Sequence, residues 1–136
     1  MEKLATTNRS REEHEPLNEV RLRGFLTEPA RVFASRSGQP RLCFRLEVWI
    51  DDKRLPPKKP EGVDYFSVVA FGQDFLPLAA QLVENREVLL TGRLRSRDID
   101  TDGRHVVTEI VAREIVPLKT RADALRGKRF WHATVQ

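Results

Sequence analysis

The stretch Asp64-Tyr65-Phe66-Ser67-Val68-Val69-Ala70-Phe71-Gly72 constrains the fold of this chain most, because it reads as one strand with two usable faces. At a period of two, Phe66, Val68 and Ala70 fall on one side of the pleat, and Tyr65, Ser67, Val69 and Phe71 on the other. The first side can fill a core. The second lifts Tyr65 and Phe71, about 20 Å apart along an extended strand, onto a surface where flat bases could stack.

The rest of the chain supplies partners for that strand. Val20, Leu22, Gly24 and Leu26 alternate with Arg21, Arg23 and Phe25, a first strand in which slim Gly24 lets another backbone approach closely. Thr27-Glu28-Pro29 turns the chain, Arg31 to Ala34 resumes extended structure, and Ser35 to Pro40 reads as a hairpin turn. Leu42, Phe44, Leu46 and Val48 then point inward along a second strand, with Arg45, Glu47 and Trp49 on its opposite face. The proline-rich run around Lys58 and Lys59 cannot form ladder hydrogen bonds, so Asp51 to Val63 is expected to be a projecting loop. After the central strand, Gln73-Asp74 can cap a helix over Phe75 to Glu84 with an apolar stripe of Phe75, Leu78 and Leu82, and Asn85 suits a left-handed stop. Arg86 to Arg97 returns to strand, placing Val88, Leu90, Gly92 and Leu94 inside and Arg93, Arg95 and Arg97 along one outer face. A tight turn at Asp100 to Gly103 leads into a last strand, Val106 to Val116.

Five strands with one short helix between the third and fourth match an all-β, closed Greek-key barrel better than a sandwich, which is the oligonucleotide-binding (OB) layout. With 136 residues, one domain is expected over residues 18–118, flanked by a polar arm, 1–17, and a basic tail, 119–136. The formal net charge is +4. The tail alone carries +4 and residues 1–18 carry −1, so the body is nearly neutral and must attract anions by clustering charge on one face. The single Cys43 argues against a disulfide-stapled fold, and no apolar run approaches the roughly 18 residues of a membrane span. The expectation is a soluble, cytoplasmic, nucleoid-associated chain with no membrane partner. His14, His105 and His132 are scattered without metal-ligand spacing, and no nucleophile elbow or phosphate loop is present, so neither an enzyme nor a metal or other cofactor is expected.

Three segments in order, Asn18-Glu19-Val20-Arg21-Leu22-Arg23-Gly24 with Leu26-Thr27-Glu28-Pro29, then Val68-Val69-Ala70-Phe71-Gly72, then Val88-Leu89-Leu90-Thr91-Gly92-Arg93-Leu94, resemble the bacterial single-stranded DNA-binding protein family across residues 18–118. The resemblance implies a replication, recombination and repair protein that coats single-stranded DNA as a homo-oligomer, usually a tetramer. It puts Phe71 at a stacking position, Tyr65 where members commonly carry tryptophan, and Trp49 near a third ring position. A further aromatic beyond the fourth strand has no match, Ile99 being nearest. Two departures stand out. The basic ending Gly127 to Gln136 replaces an acidic, partner-recruiting tip, and Arg21 and Arg23 replace apolar residues that help pair subunits.

The residues themselves leave alternatives open. Exposed rings can pack under a loop or a neighbouring subunit, and Arg93, Arg95 and Arg97 can be a solvated face paired with Glu109 or Glu114. The expected function is sequence-tolerant single-stranded DNA binding through Tyr65, Phe71 and Trp49, with Arg21, Arg23, Arg45, Lys58, Lys59, Arg93, Arg95 and Arg97 gripping phosphates. The alternatives are an OB-fold interaction subunit, such as a primosomal or mobile-element accessory factor with secondary nucleic-acid binding, and an RNA binder.

Overall fold

The computed structural model describes residues 14–50, 62–100, 102, 103 and 105–125. Its strands are β1 (Val20–Leu26), β2 (Arg31–Ala34), β3 (Pro40–Trp49), β4 (Val63–Phe71), β5 (Arg86–Asp98) and β6 (Val106–Thr120), with a 3₁₀ helix at Gln73–Leu78. The sheet order is β1-β5-β6-β4-β3-β2, and a further β1–β3 pairing closes five of the strands into a barrel. β2 lies outside that ring as an edge strand on β3 alone. The expected five-stranded barrel is therefore present, with Arg31–Ala34 hung on it as a sixth strand.

Closure depends on β1 changing partners. Its first residues pair with β5, and Phe25 and Leu26 pair with Glu47 and Leu46 of β3. At the switch, a Cβ on Gly24 would stand 2.2 Å from the Glu47 carbonyl oxygen, so only glycine fits. A second close approach is at Gly92, whose Cβ would meet the Val111 carbonyl oxygen at 2.2 Å. It falls where the β5–β6 register slips between Thr91 and Gly92, so Arg113 is left without a partner and the inward parity of β6 changes from Ile110 and Ala112 to Ile115.

Inside the ring, Leu26, Leu42, Phe44, Leu46, Val68, Ala70, Val88, Leu90, Ile110 and Ile115 form one buried cluster. Leu82 completes it, held by the Ala30 N–H donating to its carbonyl at 2.9 Å. The segment carrying Leu82 differs from the expected helix over Phe75 to Glu84. Only the 3₁₀ helix forms, its N-cap is Gly72 without a side-chain hydrogen bond, and turns follow to Asn85, which does take the left-handed conformation at φ 67°. That helix contains Pro77, which has no N–H to donate, and it stops one residue later at Leu78. Two further expectations are corrected. Leu94 is 44% exposed although its β6 partner Ile110 is in the core, because β1 begins at Val20 opposite Gly92 and leaves no strand on that flank of Leu94. Val69, expected on the open face, is 3% exposed because Cys43 and Val111 stand directly opposite it on both flanking strands.

Replacing Gly24 with alanine forces the β1–β3 seam apart, and should cost about 1–3 kcal/mol of stability. Urea denaturation checks this. An unchanged midpoint would show that the seam yields without penalty.

Candidate nucleic-acid interface

The outer face of β3 and β4 is built from directly opposed pairs: Glu47 with Tyr65, Arg45 with Ser67, Cys43 with Val69 and Arg41 with Phe71. Because opposed residues share a face, Tyr65 and Phe71 lie among arginines. The Arg45 guanidinium sits 4.4 Å from the Tyr65 ring centroid, and the Arg95 guanidinium, reaching from β5, sits 5.0 Å from that of Phe71. Both rings are thus present on the predicted face, and each is capped by a cation.

Arg95 is oriented by a carboxylate. Glu109 lies opposite it on β6 and accepts hydrogen bonds at Oε1 from Arg95 Nε (3.1 Å), Arg95 Nη2 and Arg97 Nε (3.1 Å). Burial would raise the Glu109 pKa, but the hydrogen bonds and charges of the two arginines outweigh it and hold the carboxyl below its ordinary value. Of the three arginines expected along one face, Arg95 and Arg97 share Glu109, whereas Arg93 lies opposite Val111. Among the described residues, Arg41, Arg45 and Arg93 have no ion-pair partner, which leaves their charge available to phosphates.

Trp49 occupies a different neighbourhood. Its ring centroid lies 5.8 Å from that of Phe25 at a 45° tilt, and its Nε1–H donates to Glu47 Oε2 at 3.1 Å. Phe25 is only 5% exposed, covered further by the Arg121 guanidinium 4.7 Å from its centroid. Arg121 also pairs with Glu47 and is anchored by its own N–H donating to the Asn85 carbonyl at 2.6 Å. It belongs to the short helical stretch 121–125 that follows β6. Glu47, which stands directly opposite Tyr65, is in this way neutralised from within the protein. A hollow of about 430 Å³ lies there, lined by Thr27, Arg45, Glu47, Tyr65, Asn85 and Arg121.

Arg21 and Arg23 point outward from β1 beside β5, and Arg23 pairs with Glu87 at 3.3 Å, an exposed contact worth little. Among the described residues, neither caps a ring. Lys58 and Lys59 lie outside the described residues, as do residues 1–13 and 126–136. Cys43 is half-buried, and that burial pushes its thiol pKa up, opposite to an activated nucleophile. Among the described residues no group of three or more His, Cys, Asp or Glu could hold a metal, and no helix is long and apolar enough to cross a membrane. Sequence reasoning missed Phe25, Arg121 and Arg41. Arg41 was within reach, since the Ser35–Pro40 turn sets the register that pairs it with Phe33.

A five-stranded closed barrel with a short helix before its fourth strand and an arginine-capped aromatic face is an OB fold. Residues 17–118 match the model of the Single-strand binding protein family, and the chain belongs to that family. A single-stranded DNA-binding protein of Fusobacterium nucleatum subsp. nucleatum is 26% identical over 100 residues, 74% of this chain and 65% of that relative, so the chain spans less than two thirds of its length. The solved Plasmodium falciparum SSB complex with ssDNA shares the fold, with a TM-score of 0.62 at 22% identity, covering 78% of this chain and 98% of that one.

Replacing Glu109 with glutamine should lower stability at neutral pH by about 1–2 kcal/mol. Because the native pKa is depressed, the wild-type advantage is fully present above the ordinary glutamate pKa and is lost as pH falls through the lower native value. Chemical denaturation of both proteins from neutral to acid pH reads this difference. A gap that does not close in acid would assign the loss to packing rather than charge.

Proposed function

We propose that this protein binds single-stranded DNA with little sequence preference, by stacking bases on Tyr65 and Phe71 and attracting phosphates to Arg45, Arg93 and Arg95. The observation that supports this most is the pair of rings on one strand face, each under an arginine, in a chain of the single-strand binding family. Stacking tolerates any base because every base has a π face, and arginines directed at phosphate carry no sequence information. Trp49 adds a stacking edge at the end of β3, and Lys58 and Lys59 extend the phosphate grip. Residues 18–118 are the binding domain, and the basic residues of 119–136 other than Arg121, which Glu47 engages, add bulk attraction. The role is coating single strands in replication, recombination or repair, in the cytoplasm, as a homo-oligomer and without catalysis. Family membership does not favour the interaction-subunit reading.

Titrating labelled oligo-dT, oligo-rU and duplex at two salt concentrations tests the proposal. Oligo-dT should bind tightest, quenching tryptophan fluorescence, with a log–log salt slope of about −0.7 per phosphate contact. Alanine at Tyr65 and at Phe71 should each cost about 1–3 kcal/mol of binding, and glutamine at Arg45 and Arg93 should flatten the slope. Equal affinity for duplex, or a folded Tyr65/Phe71 double variant that binds like wild type, would overturn it. Light scattering in the same buffers should give a mass above that of one chain; a monomer at every concentration would remove the oligomer from the proposal.

A further inference from the structure

The arginine-over-ring arrangement occurs a third time on the same face. Phe33 of β2 stands directly opposite Arg41 of β3, which stands directly opposite Phe71 of β4, so the three side chains form one row across three strands. The Arg41 guanidinium lies 5.0 Å from the Phe33 centroid, the same distance that separates Arg95 from Phe71. Phe33 is 40% exposed, against 41% for Tyr65. An arginine over a ring does not by itself mark a stacking surface, since Phe25 under Arg121 is buried and serves packing. Phe33 differs in accessibility: every residue of β2 is exposed, so its ring has no core to complete. The Ser35–Pro40 turn, closed by the Gly38 N–H donating to the Ser35 carbonyl at 3.0 Å, fixes the register that brings Phe33 opposite Arg41. Two strand spacings, about 10 Å, separate Phe33 from Phe71 across the sheet.

We infer that Phe33, with Arg41, is a further base-stacking platform that continues the nucleic-acid track from Tyr65 and Phe71 sideways onto the edge strand. The inference rests on the proposed single-stranded DNA binding and adds a residue and a direction to it. It gives a four-residue edge strand a task beyond covering β3, and supplies a ring on the β2 side where the β5 side ends at Ile99. A strand held at Tyr65 and Phe71 turns across the sheet at Phe71, so only an oligomer long enough to leave Phe71 reaches Phe33.

The test uses the full chain with Phe33→Ala, Phe33→Leu and Phe33→Tyr, and oligo-dT near the short and long ends of the ~4–16 nucleotide range of OB-fold sites. Thermal unfolding confirms that each variant is folded, which the exposure of β2 favours. Phe33→Ala and Phe33→Leu should weaken binding of the long oligomer by about tenfold, leave the short one nearly unchanged, and lose less when tyrosine restores a π face. Wild-type affinity of the alanine and leucine variants for the long oligomer would overturn the inference. Equal weakening at both lengths would also overturn it, by assigning Phe33 a structural role. The underlying reading fails separately: in that case wild type binds neither oligomer, or the Tyr65/Phe71 double variant binds both as wild type does.

Discussion

The barrel seam at Gly24 is the constraint on which the binding face depends. β1 can leave β5 and pair with β3 only because nothing projects from Gly24 toward the Glu47 carbonyl. Once β3 is fixed there, its outward residues Arg41, Arg45 and Glu47 take their places, and the antiparallel register sets Tyr65 and Phe71 beside them. On the other side, the slip at Gly92 and the short parallel pairing of Val68 and Val69 with Ile110 and Val111 bring β5 near enough for Arg95 to reach Phe71. Closure and site are one piece of geometry. A chain that opened at the seam would lose the shared face before it lost its individual strands.

Arginine capping resolves a conflict that an aromatic binding face creates. Tyr65 and Phe33 expose apolar surface to water in the free protein, which invites association with the wrong partner. A guanidinium is weakly hydrated and planar, so it covers a ring at little cost while keeping its charge in solvent. An exposed cation–π contact is worth about 0.5–1 kcal/mol, and base stacking about 1–3 kcal/mol, so an arriving base wins the ring. The displaced arginine then stands beside a phosphate strand. Carboxylates on the face do not oppose this, because Glu47 is engaged by Arg121, and Glu109 keeps Arg97 when Arg95 turns to a phosphate.

How much of this was legible in the sequence follows from which interactions are local. The outward Tyr65 and Phe71 of β4, the tight approach at Gly24 and the left-handed Asn85 are properties of a few adjacent residues, and each stands as read. Val69 and Leu94 were misplaced because burial on a strand depends on what the flanking strands present, and period-two reasoning sees only one strand. The helix before β5 is shorter than its apolar stripe suggests: a 3₁₀ helix at Gln73–Leu78 forms, and turns take the rest of the segment to Asn85. Arg121 lies 74 positions from Glu47, and no spacing rule brings them together. Trp49 was located near the site, but its contact with Phe25 comes from the same long-range closure.

The central claim is that capped rings on one barrel face receive bases while their arginines move to phosphates. The arginine Nε–H signals and aromatic resonances of labelled protein, followed by NMR as oligo-dT is added, report this directly. The account predicts that the largest changes fall on Arg45, Arg95, Tyr65 and Phe71, with Phe25 and its Arg121 cap little altered. Saturable binding that leaves those four residues unchanged would contradict it.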